Sequence, residues 1–200
     1  MSELPIDVLI NKENPLPSDY CPSDLVIVDE NENNFRNYMD PRLKPLVRNV
    51  IFSYFERMQQ DALKDDVHFI VDSAYRSYYY QQRVLDSKLA EMGDKAYSVV
   101  ALPGTSEHQT GLAVDVAYYK DGVYNDDIKE DDKEAVWLAN NSYKYGFILR
   151  YPKGKEEITG YQYEPWHFRF VGLELAREIF MEGITLEEYY SRKGNFQRKK

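Results

Sequence analysis

Apolar residues recur at three- and four-residue steps along one early stretch: Leu46, Val47, Val50, Ile51, Tyr54, Phe55, Met58 and Ala62. That spacing places them on one face of a helix. Asp40-Pro41 lies ahead of them, a capping residue followed by a proline suited to the first turn. The pattern predicts a core helix opening at Asp40. Val67 to Val71 reads as a buried strand, with His68 alternating among apolar neighbours as a structural histidine rather than a ligand. A second helix follows Ser73 to Ser77. Val84, Leu85, Leu89 and Met92 mark its inner face and Gly93 its end.

Residues 94–107 read as a loop. Leu112 to Tyr118 alternates imperfectly, as a strand does, so Asp115 is expected to project from a strand. Glu134 to Tyr143 predicts a third helix, Tyr145 to Tyr151 a strand halted by Pro152, and Lys153-Gly154-Lys155 a turn. Tyr161 to Val171 is strand-like. Gly172 to Met181 predicts a helix ended by Gly183, and Thr185 with Glu188 forms the capping box of a last short helix. Residues 1–35 lack helical periodicity. Asn14-Pro15-Leu16-Pro17 is extended because residues before proline avoid the α region, and Leu25 to Val28 is a short strand. We read this segment as an extended arm packed on a single domain spanning 1–200, with 191–200 as a basic tail. Helices and short strands without βαβ alternation define the α+β class.

Composition narrows the function. The 200 residues carry a net charge of −9, with 43 % hydrophobic and 30 % charged positions. This is the profile of a soluble globular domain, and its excess of acid argues against a nucleic-acid surface. No apolar run reaches the eighteen or so residues of a membrane span. The first residues, Met1-Ser2-Glu3-Leu4-Pro5, have no apolar signal-peptide core, so the expected compartment is the cytoplasm, or the cell wall if the sequence is a trimmed form of an exported protein. The single cysteine, Cys21, excludes an internal disulfide and a cysteine-based zinc site. The acids between Tyr124 and Glu134 lack the EF-hand spacing and read as a solvated loop.

The chemistry concentrates in two stretches. Of three histidines in the chain, His108 stands seven residues before Asp115, with Gly111 between them free to turn the chain back. His167 closes Tyr163-Glu164-Pro165-Trp166-His167. Two histidines and an aspartate can hold zinc and leave a fourth position open. Pro165 keeps Glu164 out of the helical region. With three residues per polyproline turn, Glu164 and His167 return to one side, so Glu164 can serve as the base. Arg76, between a buried strand and a helix, is the candidate for oxyanion stabilisation. Spacing alone also admits two unrelated histidines and a solvated acid.

Three separated blocks then carry a resemblance. Ser106-Glu107-His108 through Gly111, Ala113 and Asp115, together with Glu164-Pro165-Trp166-His167 and Tyr75-Arg76-Ser77 with Gln81, resembles the zinc D-Ala-D-Ala carboxypeptidases of the VanY type, over roughly residues 9–190. The resemblance implies a hedgehog/D-Ala-D-Ala metallopeptidase-like fold, a small antiparallel sheet flanked by helices. It implies Zn2+ on His108, Asp115 and His167, Glu164 as base and Arg76 on the scissile carbonyl. Ser106 and Gln81 would contact a peptidoglycan precursor peptide or D-Ala-D-Ala. The expected reaction is removal of the C-terminal D-Ala. Alternatives are a bifunctional D,D-dipeptidase/D,D-carboxypeptidase acting on free D-Ala-D-Ala, linked with glycopeptide resistance, and an L,D-carboxypeptidase acting on the tetrapeptide. A non-catalytic cell-wall-binding module is expected to lose the base, and Glu164 is present. The expected assembly state is a monomer or weak homodimer.

Overall fold

The computed structural model describes residues 3–28 and 45–194. Among the described residues seven strands form: β1 (Leu25–Ile27), β2 (Leu46–Arg48), β3 (Ile70–Ser73), β4 (Ala113–Lys120), β5 (Val123–Asn125), β6 (Phe147–Leu149) and β7 (His167–Phe170). The helices are α1 (Asn49–Lys64), α2 (Tyr78–Met92), α3 (Lys133–Asn141), α4 (Glu156–Thr159), α5 (Leu173–Glu182) and α6 (Leu186–Arg192). β1 and β2 pair by themselves. The main sheet runs β3-β4-β7-β6, with β5 also on β4, and each pairing is antiparallel. The class is α+β, as expected. Among the described residues no helix is long and apolar enough to cross a membrane.

Alternation along β4, β6 and β7 divides the sheet into two faces. Val114, Val116, Phe147, Phe168 and Phe170 point to one side and pack with Ile51, Phe55, Met58 and Ala62 of α1. Phe55 lies edge-on to Phe147, and Phe147 to Phe170. The other face carries the remaining alternate positions: Asp115 on β4, Ile148 on β6, His167 and Arg169 on β7. Asp115 is the direct cross-strand partner of His167. Ile148 joins Leu175, Ala176, Ile179 and Leu186 in a second cluster beneath α5 and α6.

Several expectations needed revision. Asp40-Pro41 lies outside the described residues. The helical spacing from Leu46 begins as strand, because β2 pairs with β1 in the register Leu25↔Arg48 and Ile27↔Leu46. The helix starts only at Asn49, whose amide donates to the Asp24 carbonyl over 2.8 Å. Sheet pairing there overrides helical periodicity. The strand expected from Val67 begins at Ile70, and the His68 side chain is 66 % exposed, 3.7 Å from Asp66. It is therefore a surface residue and not a core one. Met92, expected on the inner face of α2, is exposed. The hairpin β4–β5 was not foreseen. Its turn is Asp121-Gly122, both with positive φ, a pair that suits a tight hairpin turn. Ser77 caps α2 through the Tyr80 amide, and Thr185 and Glu188 make both halves of the capping box.

The N-terminal segment is pinned onto the body. Ile10, Leu16 and Tyr20 form a small buried cluster. The Leu16 amide donates to the Gly104 carbonyl, and the Gln109 side-chain amide donates to the carbonyls of Pro17 and Tyr20. These contacts brace the loop and the short 3-10 turn, Glu107–Thr110, that lead into β4. Gly111 ends that turn at φ +68, where a Cβ would stand 3.0 Å from Leu25 Cδ2 and from Arg48 Cγ. Gly111→Ala should therefore destabilise the fold by about 1–2 kcal/mol from the left-handed backbone alone. Urea unfolding measures this, and an unchanged midpoint would mean that the turn tolerates a side chain.

Candidate metal centre and catalytic pocket

Three local devices bring the ligand-type side chains together. The β4/β7 register sets Asp115 opposite His167 on the same face. The 3-10 turn carries His108 over the end of that pair, and the Arg76 amide holds the His108 carbonyl at 3.2 Å. The segment Glu164-Pro165-Trp166-His167 is a turn closed by the His167 amide on the Glu164 carbonyl at 3.2 Å. Pro165 stands in its second position, which proline favours. The polyproline geometry expected for this segment is thus replaced by a turn. The consequence is similar, since Glu164 Oε2 lies 3.9 Å from His167 Nδ1.

Asp115 bridges the two imidazoles. Its Oδ2 lies 3.1 Å from His108 Nε2, and its Oδ1 lies 2.8 Å from His167 Nδ1. One ligand atom from each of the three residues falls within 4.8 Å of the others, the one such group among the described residues. Four ligands at zinc distances of 2.0–2.1 Å stand roughly 3.3 Å apart, so an ion fits with small adjustments. His108 Nδ1 donates to the Ala74 carbonyl at 2.6 Å. That bond fixes the tautomer and leaves Nε2 with its lone pair free. Nε2 is buried and, although 3.1 Å from Asp115 Oδ2, has no hydrogen-bond partner, which suits a metal ligand. The donor set suits zinc.

The electrostatics separate the groups. Burial, reinforced by the Arg76 guanidinium, pulls His108 down to about 4. Burial also pulls on His167, but the hydrogen bond and charge of Asp115, with Glu107 and Glu164 nearby, outweigh it and hold His167 up at about 9. Asp115 lies well below the usual carboxylate range despite its burial, because both imidazoles face it. Glu164 is raised to about 7, chiefly by burial.

The pocket above these groups encloses about 170 Å³ and is lined by His108, Asp115, Glu164, His167, Arg76, Gln81 and Ser106. All seven residues singled out in the sequence thus face one cavity. It is smaller than the roughly 300–1,000 Å³ of pockets that enclose drug-sized ligands. Arg76 Nη1 lies 3.3 Å from Ser73 Oγ and 4.0 Å from Asp115 Oδ2. Gln81 spends its amide nitrogen on the Ala101 carbonyl, so its buried Oε1, which has no partner, is free only to accept. Val84, Val99, Val100 and Ala101 add apolar side chains, and Glu107, Tyr151, Tyr161 and Trp166 complete the lining.

Sequence reasoning missed the layer beneath. Glu107 is buried, and its Oε1 accepts from Arg150 Nε and Arg169 Nη1, each at 2.8 Å. Arg150 also forks onto Glu187 of α6, and Arg169 reaches the carbonyls of Ile6 and Val8. The available signal was an arginine in each of two apolar stretches, Phe147-Ile148-Leu149-Arg150 and Phe168-Arg169-Phe170, since charged residues are almost never fully buried unless paired.

A mixed α+β domain with a His-Asp-His cluster and a carboxylate beside it has the layout of a mononuclear metallohydrolase. Residues 44–173 match the VanY family model, described as D-alanyl-D-alanine carboxypeptidase. The chain belongs to the VanY family. It is 41 % identical over 185 residues to a putative carboxypeptidase, YodJ, of Bacillus subtilis (strain 168), covering 92 % of this chain and 66 % of that protein. The chain spans about two thirds of the length of the curated relatives it matches first. Among solved structures it resembles the LdcB LD-carboxypeptidase, with TM-score 0.81 and 40 % identity, covering 92 % of this chain and 84 % of that one. It also resembles a mutant of the vancomycin-resistance D,D-pentapeptidase VanY in complex with Zn(II), with TM-score 0.76 and 36 % identity, covering 92 % and 97 %.

These shifts set a pH dependence for the metal-free protein. His167 has a folded value near 9 against 6.5 unfolded. Its contribution is complete below pH 6.5 and is lost as pH rises through 9. Glu164, raised to about 7, favours the fold below pH 4.5 and loses that effect by 7, while His108, lowered to about 4, acts in the opposite sense between 4 and 6.5. The window from pH 7 to 9 belongs to His167 alone among the three. Metal-free protein should lose on the order of 2 kcal/mol across it. Zinc should abolish the loss, because ion and proton compete for the same nitrogen. Thermal melts after chelation, with and without added zinc, test this. A flat metal-free profile would contradict it.

Proposed function

We propose that this chain is a zinc-dependent D,D-carboxypeptidase that removes the C-terminal D-Ala from peptidoglycan precursor peptides. The observation that carries the reading is the convergence of the His108, Asp115 and His167 ligand atoms with Glu164 and Arg76 on one small pocket. The family description supports the substrate class, and the VanY relative in complex with Zn(II) supports the metal.

In this reading His108 Nε2, Asp115 and His167 Nδ1 hold the ion. Zinc in such a site supplies a Lewis acid and lowers the pKa of a water it binds to about 7. Glu164 accepts the proton of the attacking water and delivers it to the nitrogen of the leaving amino acid as the C–N bond breaks. Its pKa near 7 suits both directions of transfer at neutral pH. The Arg76 guanidinium donates to the carbonyl oxygen as negative charge develops there. Gln81 Oε1 accepts an N–H from the peptide, and Ser106 contacts it from the same pocket wall. The wall of Val84, Val99, Val100 and Ala101 fits a methyl side chain and excludes water.

A second reading is L,D-carboxypeptidase activity on the tetrapeptide, favoured by the likeness to the LdcB LD-carboxypeptidase. The two readings share every residue above and differ in the peptide accepted. Zinc-loaded protein offered free D-Ala-D-Ala, a pentapeptide precursor and a tetrapeptide distinguishes them by the released products. D-Ala from the pentapeptide supports the first reading, and cleavage of the tetrapeptide alone would replace it with the second.

Two variants test the roles. Glu164→Ala should keep zinc and lose several orders of magnitude in kcat, and near-normal kcat would exclude it as the base. Arg76→Ala should lose about 10²–10³ in kcat, as usual for one oxyanion donor, with a smaller change in KM. Arg76→Lys should recover only part, because lysine lacks the planar fork. Wild-type kcat/KM in both Arg76 variants would remove Arg76 from the mechanism.

A further inference from the structure

We propose that Glu107 is a positioning residue that commits His167 to bind metal through Nδ1. The inference rests on reading His108, Asp115 and His167 as ligands, and it adds a role for a buried residue outside that ligand set. His167 turns Nδ1 towards Asp115 Oδ1 and Glu164 Oε2, and turns Nε2 away from the ion position. Nε2 faces Glu107 Oε2 at 3.6 Å, and both atoms are buried without a hydrogen-bond partner. An imidazole that offers the Nδ1 lone pair must carry its proton on Nε2. That N–H then points at the unpartnered carboxylate oxygen, and a shift of roughly 0.6 Å brings the pair to ordinary hydrogen-bond length.

Glu107 cannot turn away. Its Oε1 is held by Arg150 and Arg169, which are fully buried and can only donate. Arg150 is itself anchored on Glu187, and Arg169 on the carbonyls of Ile6 and Val8. The two guanidiniums keep the carboxylate ionised and oriented, so its second oxygen presents a fixed acceptor to His167. A carboxylate behind a ligating histidine sets the ring's tautomer and orientation. His108 meets the same need differently, through the Ala74 carbonyl.

Glu107→Gln tests the assignment chemically. In the variant the amide oxygen must take the two arginines, which turns the NH2 group towards His167 Nε2. That donor favours the tautomer with hydrogen on Nδ1, which cannot bind an ion. Zinc affinity, measured by chelator competition, should fall by about 10–100-fold. Glu187→Gln removes charge from the same buried cluster without touching His167. It should lower the melting temperature yet leave zinc affinity within about twofold of the native protein.

A folded Glu107→Gln that binds zinc like the native protein would overturn the proposal. So would an equal loss of affinity in Glu187→Gln, which would mark the effect as structural. A measurement on the native chain does not depend on either variant folding. Nitrogen NMR of the cadmium-loaded protein with isotope-labelled histidine should show metal coupling to His167 Nδ1 and a proton on Nε2. Coupling to Nε2 would overturn the role of Glu107 while leaving the three-ligand site intact. Absence of any metal coupling to His108 and His167 would overturn both.

Discussion

The opposition of Asp115 and His167 across β4 and β7 is the constraint on which this structure turns. Side chains alternate along a strand, so a one-residue slip between the two would send one of these groups into the α1 core and the other towards the pocket. The register is held from the opposite face, where Val114, Phe168, Phe147 and Phe170 pack on Phe55 and Met58. The apolar half of each strand thus fixes the position of the polar half. Side chains carried on rigid strands, with only His108 supplied by a turn, are held in precise geometry.

Beneath the site, Glu107 gathers two arginines in a layer that excludes water. Such a cluster is not a cheap source of stability, because desolvating each charge costs several kcal/mol and only good geometry offsets it. Its distribution explains its value. Arg150 follows β6, Arg169 lies on β7, Glu187 belongs to α6, and the carbonyls of Ile6 and Val8 belong to the N-terminal segment. One carboxylate beside His167 therefore joins four parts of the chain. Loss of any one partner leaves a buried charge uncompensated.

The pocket holds groups of similar chemistry in different protonation states. His108 is buried beside a guanidinium and stays neutral, His167 faces carboxylates and is held up, and Glu164 is buried far enough to titrate near neutrality. Groups whose environments push their pKa values apart are the usual mark of divided acid, base and ligand roles. The chain resembles solved peptidases of both D,D and L,D type. Small apolar side chains and the rings of Tyr151 and Tyr161 line the same pocket as these titratable groups.

Seven of the residues that face the pocket were legible in the sequence because each lies in a short motif with its own local logic. Gly111 marks a turn, Pro165 forces a non-helical approach to His167, and Ser77 and Thr185 announce helix starts. The α+β class followed from the order of helical and strand periods. Tertiary structure decided what local pattern could not. Leu46 to Arg48 has helical spacing but joins a strand, because a partner at Leu25–Ile27 takes its backbone hydrogen bonds. The polyproline geometry read into Glu164–His167 is a turn, since Tyr151 and Glu164 carbonyls capture the Glu164 and His167 amides. Glu107 looked like one more acid inside a motif. Its role depends on Arg150, Arg169 and Glu187, which lie 43, 62 and 80 positions away. Local sequence records backbone preference and alternation, whereas the partner of a buried charge is chosen by which distant elements fold against it.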